Sequence, residues 1–154
     1  MNFAGWGEPL VNKELPIMIR HLKFCNVTES IAIITNGLLL RPELSQNLID
    51  AGADHIRISL QGMTKEKYWD VCGRVIDFQA LKENIKYLYD NKQGCQIYVK
   101  IADIALEEGE EEIFYETFNK ISDRMFVEKI RPMFHELHEN AQGEKMLSKY
   151  GCIT

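Results

Sequence analysis

Polar residues and glycines recur at the points where short apolar runs of this sequence end. Because the carboxyl ends of parallel strands meet at one edge of a sheet, such residues are expected to share a polar pocket there. One group alone would indicate only a turn, whereas five in similar positions favour a ligand site. The groups are Gly5-Trp6-Gly7-Glu8-Pro9, Thr35-Asn36-Gly37, Ser59-Leu60-Gln61-Gly62, Lys100-Ile101-Ala102-Asp103 and Lys129-Ile130-Arg131.

The first group carries the most chemical information. Gly5 and Gly7 allow close approach of a ligand to the backbone or a positive φ, and Pro9 fixes the exit of the loop. Glu8 offers a carboxylate that could bind an ammonium group. A glycine-rich turn with a solvent-facing glutamate is the alternative interpretation of the same residues.

The elements that must position these groups are short strands alternating with helices. Runs rich in β-branched and aromatic residues predict strands over residues 1–5, 30–35, 55–60, 96–102 and 125–130. Several of these runs are apolar on both faces, which is typical of strands covered by helices. Apolar residues at spacings of three and four predict helices over 13–25, 42–51, 78–91 and 110–121, the third capped by Asp77.

This β-α-β-α-β-α-β-α-β pattern predicts a parallel α/β fold with right-handed crossovers. Units of about 30 residues fit either a (β/α) barrel or a doubly wound sheet. The pattern extends over residues 1–132, and residues 133–154 form a polar tail.

Composition excludes several classes of function. The net charge is −5, and lysines and arginines are scattered, so a nucleic-acid partner is not expected. No apolar stretch approaches the roughly 20 residues that a membrane span requires. Residues 1–20 lack the basic start and apolar block of a secretory leader, so the default expectation is a cytoplasmic protein.

No metal site is predicted. Cys25, Cys72, Cys95 and Cys152 lie far apart without a CxxC pair, which is typical of structural thiols. His135 and His138 could share one helical face toward a metal, but the polar tail offers no third ligand nearby, so a solvated turn is favoured.

In their order along the chain, the motifs resemble the radical S-adenosylmethionine (SAM) superfamily. Gly-Trp-Gly-Glu-Pro at residues 5–9 is similar to the family's GGEP motif, with Trp6 at the variable first position. Ile-Thr-Asn-Gly at 34–37 resembles its third strand, Ile-Ser-Leu-Gln-Gly at 58–62 its fourth, and 77–89 the helix that follows. The resemblance implies a partial (β/α) barrel of about five parallel strands, strands two to six, with outer helices.

The resemblance also implies a SAM site. Gly7 and Glu8 would receive the amino group of the methionine moiety, and Ser59 would contact the ribose or the carboxylate. Lys100 or Ile101 would lie beside the ribose and adenine. The complete set of implied SAM contacts is Gly5, Trp6, Gly7, Glu8, Pro9, Thr35, Asn36, Ser59, Gln61, Lys100 and Ile101.

The sequence departs from the family pattern at one decisive point. A [4Fe–4S] cluster is held there by a CxxxCxxC loop upstream of GGEP, and no such motif occurs in this chain. The resemblance therefore implies a truncated chain that has no catalytic residue and is inactive alone. Its full-length form would bind SAM and the cluster to generate a 5′-deoxyadenosyl radical. Cys152 would stand where an auxiliary SPASM-type domain begins, and the substrate would be of peptide or carbohydrate type.

Two other functions remain open. The missing cysteines are equally compatible with a non-catalytic α/β binding or scaffolding module derived from such a barrel. An unrelated α/β enzyme using Lys100 or Asp103 ranks last, because no nucleophile is spaced to pair with a base. If the chain is a truncated radical SAM barrel, the strand over residues 1–5 would be an exposed, mostly apolar edge, from which we expect dimerisation or aggregation.

Overall fold

Five short segments form one parallel sheet in the computed structural model, which describes residues 1–130, and the middle three are rich in β-branched residues. The strands follow one another in space in chain order, so every neighbouring pair is joined by a helical crossover. They are β1 (Asn2–Phe3), β2 (Ala32–Thr35), β3 (His55–Leu60), β4 (Gln96–Ala102) and β5 (Arg124–Glu128). A doubly wound sheet reverses its strand order at a switch point, and this sheet does not. The prediction of a partial (β/α) barrel is confirmed.

Five helices follow the strands. They are α1 (Leu15–Phe24), α2 (Pro42–Asp50), α3 (Lys65–Cys72), α4 (Phe78–Asn91) and α5 (Glu110–Phe118), with single 3-10 turns at Pro9–Val11 and Asp103–Ala105. The bounds of α4 agree with its prediction, and the Asp77 side chain caps it by accepting a hydrogen bond from the Ala80 N–H at 3.0 Å. The boundary at residue 132, the tail 133–154, the two tail histidines and Cys152 lie outside the described residues.

Helix α3 was not predicted. Its apolar pattern is weak, but both of its ends carry sequence signals. The Thr64 hydroxyl accepts a hydrogen bond from the Lys67 N–H at 3.1 Å, and Gly73 ends the helix with a φ of 64°. The crossover between β3 and β4 therefore contains two helices.

The two faces of the sheet differ in chemistry. One face is covered by the helices, and its residues in β3 and β4 are almost completely buried: Ile56, Ile58, Leu60, Ile97, Val99 and Ile101. The opposite face, which we call the open face, carries His55, Arg57, Ser59, Gln96, Tyr98, Lys100, Arg124, Phe126 and Glu128. The expectation that several strands are apolar on both faces is thus wrong for β3, β4 and β5.

Two aspartates tie the starts of β3 and β5 to the ends of α1 and α4. Asp54, just before β3, accepts hydrogen bonds from Lys23 Nζ at 2.6–2.7 Å and from the Ile31 N–H at 2.7 Å. Asp123, just before β5, accepts from Lys92 Nζ and from the Ile97 N–H. Each carboxylate thereby joins the end of one helix to the beginning of the neighbouring strand.

The charge of Asp54 contributes to stability in a pH-dependent way. Partial burial raises its pKa, but the Lys23 ammonium and the Ile31 N–H outweigh that effect and hold the pKa below its ordinary value of 3.8. The folded protein therefore stabilises the ionised form. This contribution is complete above pH values near 3.8 and is lost as the pH falls through the lower folded-state pKa.

We predict that Asp54→Asn lowers the free energy of unfolding by about 1 kcal/mol at pH 7, a value limited by the partial exposure of the pair. Urea denaturation between pH 7 and pH 3 measures it, and the variant should lose less stability than the native chain on acidification. Asp90→Asn, which removes an exposed pair with Lys86 on α4, is the matched control and should change little. Identical pH dependence in the native chain and Asp54→Asn would contradict the prediction.

Candidate functional site

The Glu8 carboxylate connects the loop after β1 to the end of β2. Its Oε1 atom accepts hydrogen bonds from the Leu10 N–H at 3.0 Å and the Thr35 hydroxyl at 2.6 Å. Its Oε2 atom accepts one from the Asn36 N–H at 2.8 Å. The two strand ends therefore meet, as the parallel sheet requires. Three of the hydrogen bonds that this carboxylate can accept are already made within the protein.

The turn after β2 is shaped by its own short hydrogen bonds. The Thr35 hydroxyl accepts from the Gly37 N–H at 3.0 Å, and the Asn36 side-chain oxygen accepts from the Leu38 N–H at 3.0 Å. Gly37 has a φ of 76°, and a Cβ there would lie 3.0 Å from Ile58 Cγ2. Glycine is required at this position both for its backbone conformation and for its lack of a side chain.

The loop from Gly5 to Gly7 presents free backbone to its surroundings. Gly5 has a φ of 146°, and a Cβ built on Gly5 or Gly7 would meet no atom within 4 Å. Trp6 between them is 86% exposed. Within residues 1–130, the backbone groups of these three residues have no hydrogen-bond partner. This loop can therefore offer N–H donors and carbonyl acceptors to a ligand, while Pro9 begins the 3-10 turn that follows it.

The remaining predicted site residues divide between the two faces of the sheet. Ser59 and Lys100 are register partners and both lie on the open face. The Gln61 side chain donates to the Ser59 carbonyl at 3.5 Å, a long hydrogen bond. Ile101 is only 1% exposed and lies on the helix-covered face, so its side chain is separated from Lys100. Of the two alternatives named for the position beside the ribose and adenine, only Lys100 has its side chain on the face shared with Ser59.

Two acidic residues at this end of the sheet have structural partners that the sequence analysis missed. Glu128 accepts a hydrogen bond from Lys100 Nζ at 2.6 Å, so the lysine is an ion-pair member. Asp103 Oδ1 accepts from the Ile104 N–H at 2.8 Å and the Ile130 N–H at 3.1 Å, which ties the end of β4 to the segment after β5. The period of two in a strand over Arg124–Glu128 was the available sequence signal, since it places Glu128 on the face opposite to the apolar Met125 and Val127.

The cysteines of residues 1–130 lie on separate elements. Cys25 is exposed at the end of α1, and the Cys72 thiol contacts the Tyr68 carbonyl within α3. Burial is the main cause that raises the pKa of Cys95 to about 12, so its thiol stays protonated. No three histidine, cysteine or acidic side chains in this part of the chain are grouped to hold a metal ion. The helices described here are all too short or too polar to cross a bilayer.

We predict that Glu8→Gln lowers the free energy of unfolding by about 1–2 kcal/mol. The neutral amide replaces a charged acceptor, and its NH2 group would face N–H or O–H groups that now donate to the carboxylate. Chemical denaturation followed by circular dichroism measures the change. Glu14→Gln is the matched control, because the Glu14 side chain makes no capping hydrogen bond at the start of α1. Equal stability of the two variants would show that the Glu8 hydrogen bonds contribute nothing.

The chain is similar to known proteins over most of the described sheet. Residues 2–114 match the model of the radical SAM superfamily. A probable GTP 3′,8-cyclase of Metallosphaera sedula is 43% identical over 67 residues, which make up 44% of this chain and 20% of the relative. The GTP 3′,8-cyclase of Staphylococcus aureus is 35% identical over 81 residues, 53% of this chain and 24% of the relative. This chain therefore matches about a fifth to a quarter of the length of these relatives.

A solved structure supports the same fold. Streptococcus suis SuiB, in a crystal structure with SAM bound, superposes with a TM-score of 0.61 at 17% identity, covering 82% of this chain and 29% of that one. At this identity the comparison establishes the architecture. The family match, which covers well over half of the sequence, establishes descent: the chain belongs to the radical SAM superfamily.

Proposed function

We propose that this chain is the SAM-binding portion of a radical SAM enzyme and that the Gly5–Gly7 loop receives the methionine end of SAM. The observation that carries the proposal is the free backbone of this loop, held beside the end of β2 by Glu8. Membership of a superfamily whose members bind SAM and a [4Fe–4S] cluster supports it. The open space at both glycines fits a bound ligand, because a larger residue would fill it.

In this proposal each residue of the site has a defined task. The backbone groups of residues 5–7 receive the ammonium of SAM, and Glu8 positions them through its hydrogen bonds to Thr35 and Asn36. Ser59 supplies a hydroxyl on the open face for the ribose or the carboxylate. Lys100, held by Glu128, is the register partner of Ser59 and lies beside the ribose and adenine.

The cysteines of the described residues do not fit a cluster site, since they lie apart on different elements. When SAM is bound together with a [4Fe–4S] cluster, the pair supplies the 5′-deoxyadenosyl radical in this superfamily. We propose that the cluster is held by a segment of a full-length form and that this chain alone is inactive. The corresponding alternative is a non-catalytic binding or scaffolding module on the same barrel.

Two classes of substrate are candidates for the full-length form. The first is a peptide or a carbohydrate, as in SPASM-like enzymes. For the location of the full-length form, we propose the cytoplasm. The similarity to two GTP 3′,8-cyclases favours a nucleotide as the second candidate, because their names give GTP as what they act on.

Binding of SAM to the full 154-residue chain tests the proposed site directly. We expect Gly7→Val to weaken binding about tenfold, because the added side chain fills the space where the ligand approaches the backbone. Gly94→Val is the matched control, since a Cβ at Gly94 also meets nothing within 4 Å and this residue lies just before the start of β4, away from the carboxyl ends of the strands. Calorimetric titration measures both affinities. Equal SAM affinities of the two variants, or no SAM binding by the native chain, would contradict the proposed site.

The coding sequence upstream of Met1 distinguishes the enzyme from the scaffolding module. A CxxxCxxC codon run in the same reading frame would support a full-length radical SAM enzyme, and SAM cleavage should then be measured on that longer protein. A stop codon without such a run would favour the non-catalytic module.

We also propose that the isolated chain dimerises through the outer edge of β1. The strand is only two residues long, and Asn2 on it is exposed, so the expected association is weak. Asn2→Lys should shift the protein toward monomer in light scattering, because a charge at a strand edge opposes pairing. Gln79→Lys adds the same charge on α4 and should have no effect. A native chain that stays monomeric at high concentration would contradict the proposal.

A further inference from the structure

A row of three side chains crosses the open face of the sheet. Arg57 on β3, Tyr98 on β4 and Arg124 on β5 are successive register partners. The Arg57 guanidinium carbon lies 5.8 Å from the centre of the Tyr98 ring, and that of Arg124 lies 5.6 Å from the same centre. Both distances allow cation–π attraction, so one ring orients two guanidinium groups.

The charges of these two arginines are not neutralised by the protein. Within residues 1–130 neither guanidinium has a carboxylate partner, although four lysines of the same region do. On the open face, Glu128 is committed to Lys100. The face therefore carries an excess of positive charge in a chain whose net charge is −5. The acidic composition of the chain would not by itself place an excess of positive charge on one face.

A fourth side chain, beside the row, has an unsatisfied polar atom. The His55 ring lies 5.7 Å from the Tyr98 ring and two residues before Arg57 on the same strand. Its Nδ1 atom is buried and has no hydrogen-bond partner among the described residues. Buried polar nitrogen atoms are usually satisfied, so the Nδ1 atom of His55 lacks the partner that such atoms normally have within the protein.

We propose that His55, Arg57, Tyr98 and Arg124 form a binding site for a polyphosphate group. A planar guanidinium presents a fork of N–H donors that matches phosphate oxygens, and cation–π attraction to the Tyr98 ring orients both guanidinium groups. Strands β3 and β5 are two strand spacings apart, about 10 Å, which suits two linked phosphates better than one ion. Compared with Ser59 and Lys100, this site lies nearer the starts of the strands. It is therefore distinct from the proposed SAM contacts.

Titration of the full chain with inorganic pyrophosphate, in a phosphate-free buffer at low ionic strength, tests the site. Arg57→Gln and Arg124→Gln should each weaken binding about tenfold, the effect expected when a charge-assisted hydrogen bond is lost. Arg20→Gln, on the exposed surface of α1, removes the same charge and should leave the affinity unchanged. Because all three arginines are exposed, circular dichroism should show unchanged folding.

The outcomes distinguish a specific polyphosphate site from a general effect of charge. Pyrophosphate affinity that survives Gly7→Val would show that the polyphosphate site does not depend on the SAM loop. If Arg20→Gln weakened pyrophosphate binding equally, the loss of affinity would come from the change in net charge, and the proposal would be overturned. Absence of pyrophosphate binding by the native chain, or equal binding of succinate, would overturn it as well.

Discussion

The hydrogen bonds of Glu8 are the interaction on which the candidate site depends. A two-residue β1 can make few ladder bonds with β2, so its following loop needs another attachment. The carboxylate supplies it by accepting from Thr35 and Asn36. Because this side chain holds the loop from within, the glycines beside it can leave their own backbone groups free. Anchoring and the proposed ligand binding are thus divided between neighbouring residues of one short motif.

The two faces of the sheet likewise differ in what their side chains do. Its helix-covered face contains the isoleucines and valines that bury apolar area and stabilise the fold. Its open face carries the charged and aromatic side chains, which are exposed or half-buried. A strand with period two can meet both demands, since alternate residues point to opposite faces. Replacing Arg57 or Arg124 therefore changes the open face without removing core contacts.

The sequence was sufficient to predict what depends on local pattern. Residues 55–60, 96–102 and 78–91 were assigned with the observed bounds, because β-branched runs and a capped apolar stripe are strong signals. The order of the strand-end motifs led to the correct family. Helix α3 was missed because its apolar stripe is weak, although Thr64 and Gly73 mark both of its ends.

Contacts between distant residues could not be predicted in this way. Glu8 was expected to present its carboxylate to a ligand, and nothing in the spacing shows that Thr35 and Asn36 donate to it. Lys100 and Ile101 were left as alternatives, and only the register with Ser59 separates their two faces. The pairing of Lys100 with Glu128 likewise depends on how β4 and β5 are aligned.

The paired aspartates before β3 and β5 have a consequence for how the barrel is built. Lys23 and Asp54 are 31 positions apart in the chain, and so are Lys92 and Asp123. Each pair encloses one strand and the helix that follows it, β2 with α2 and β4 with α5. Each ion pair therefore closes a loop that contains one strand and one helix. Because the entropic cost of closing a loop rises only slowly with its length, residues inserted between the paired ends would weaken this closure little.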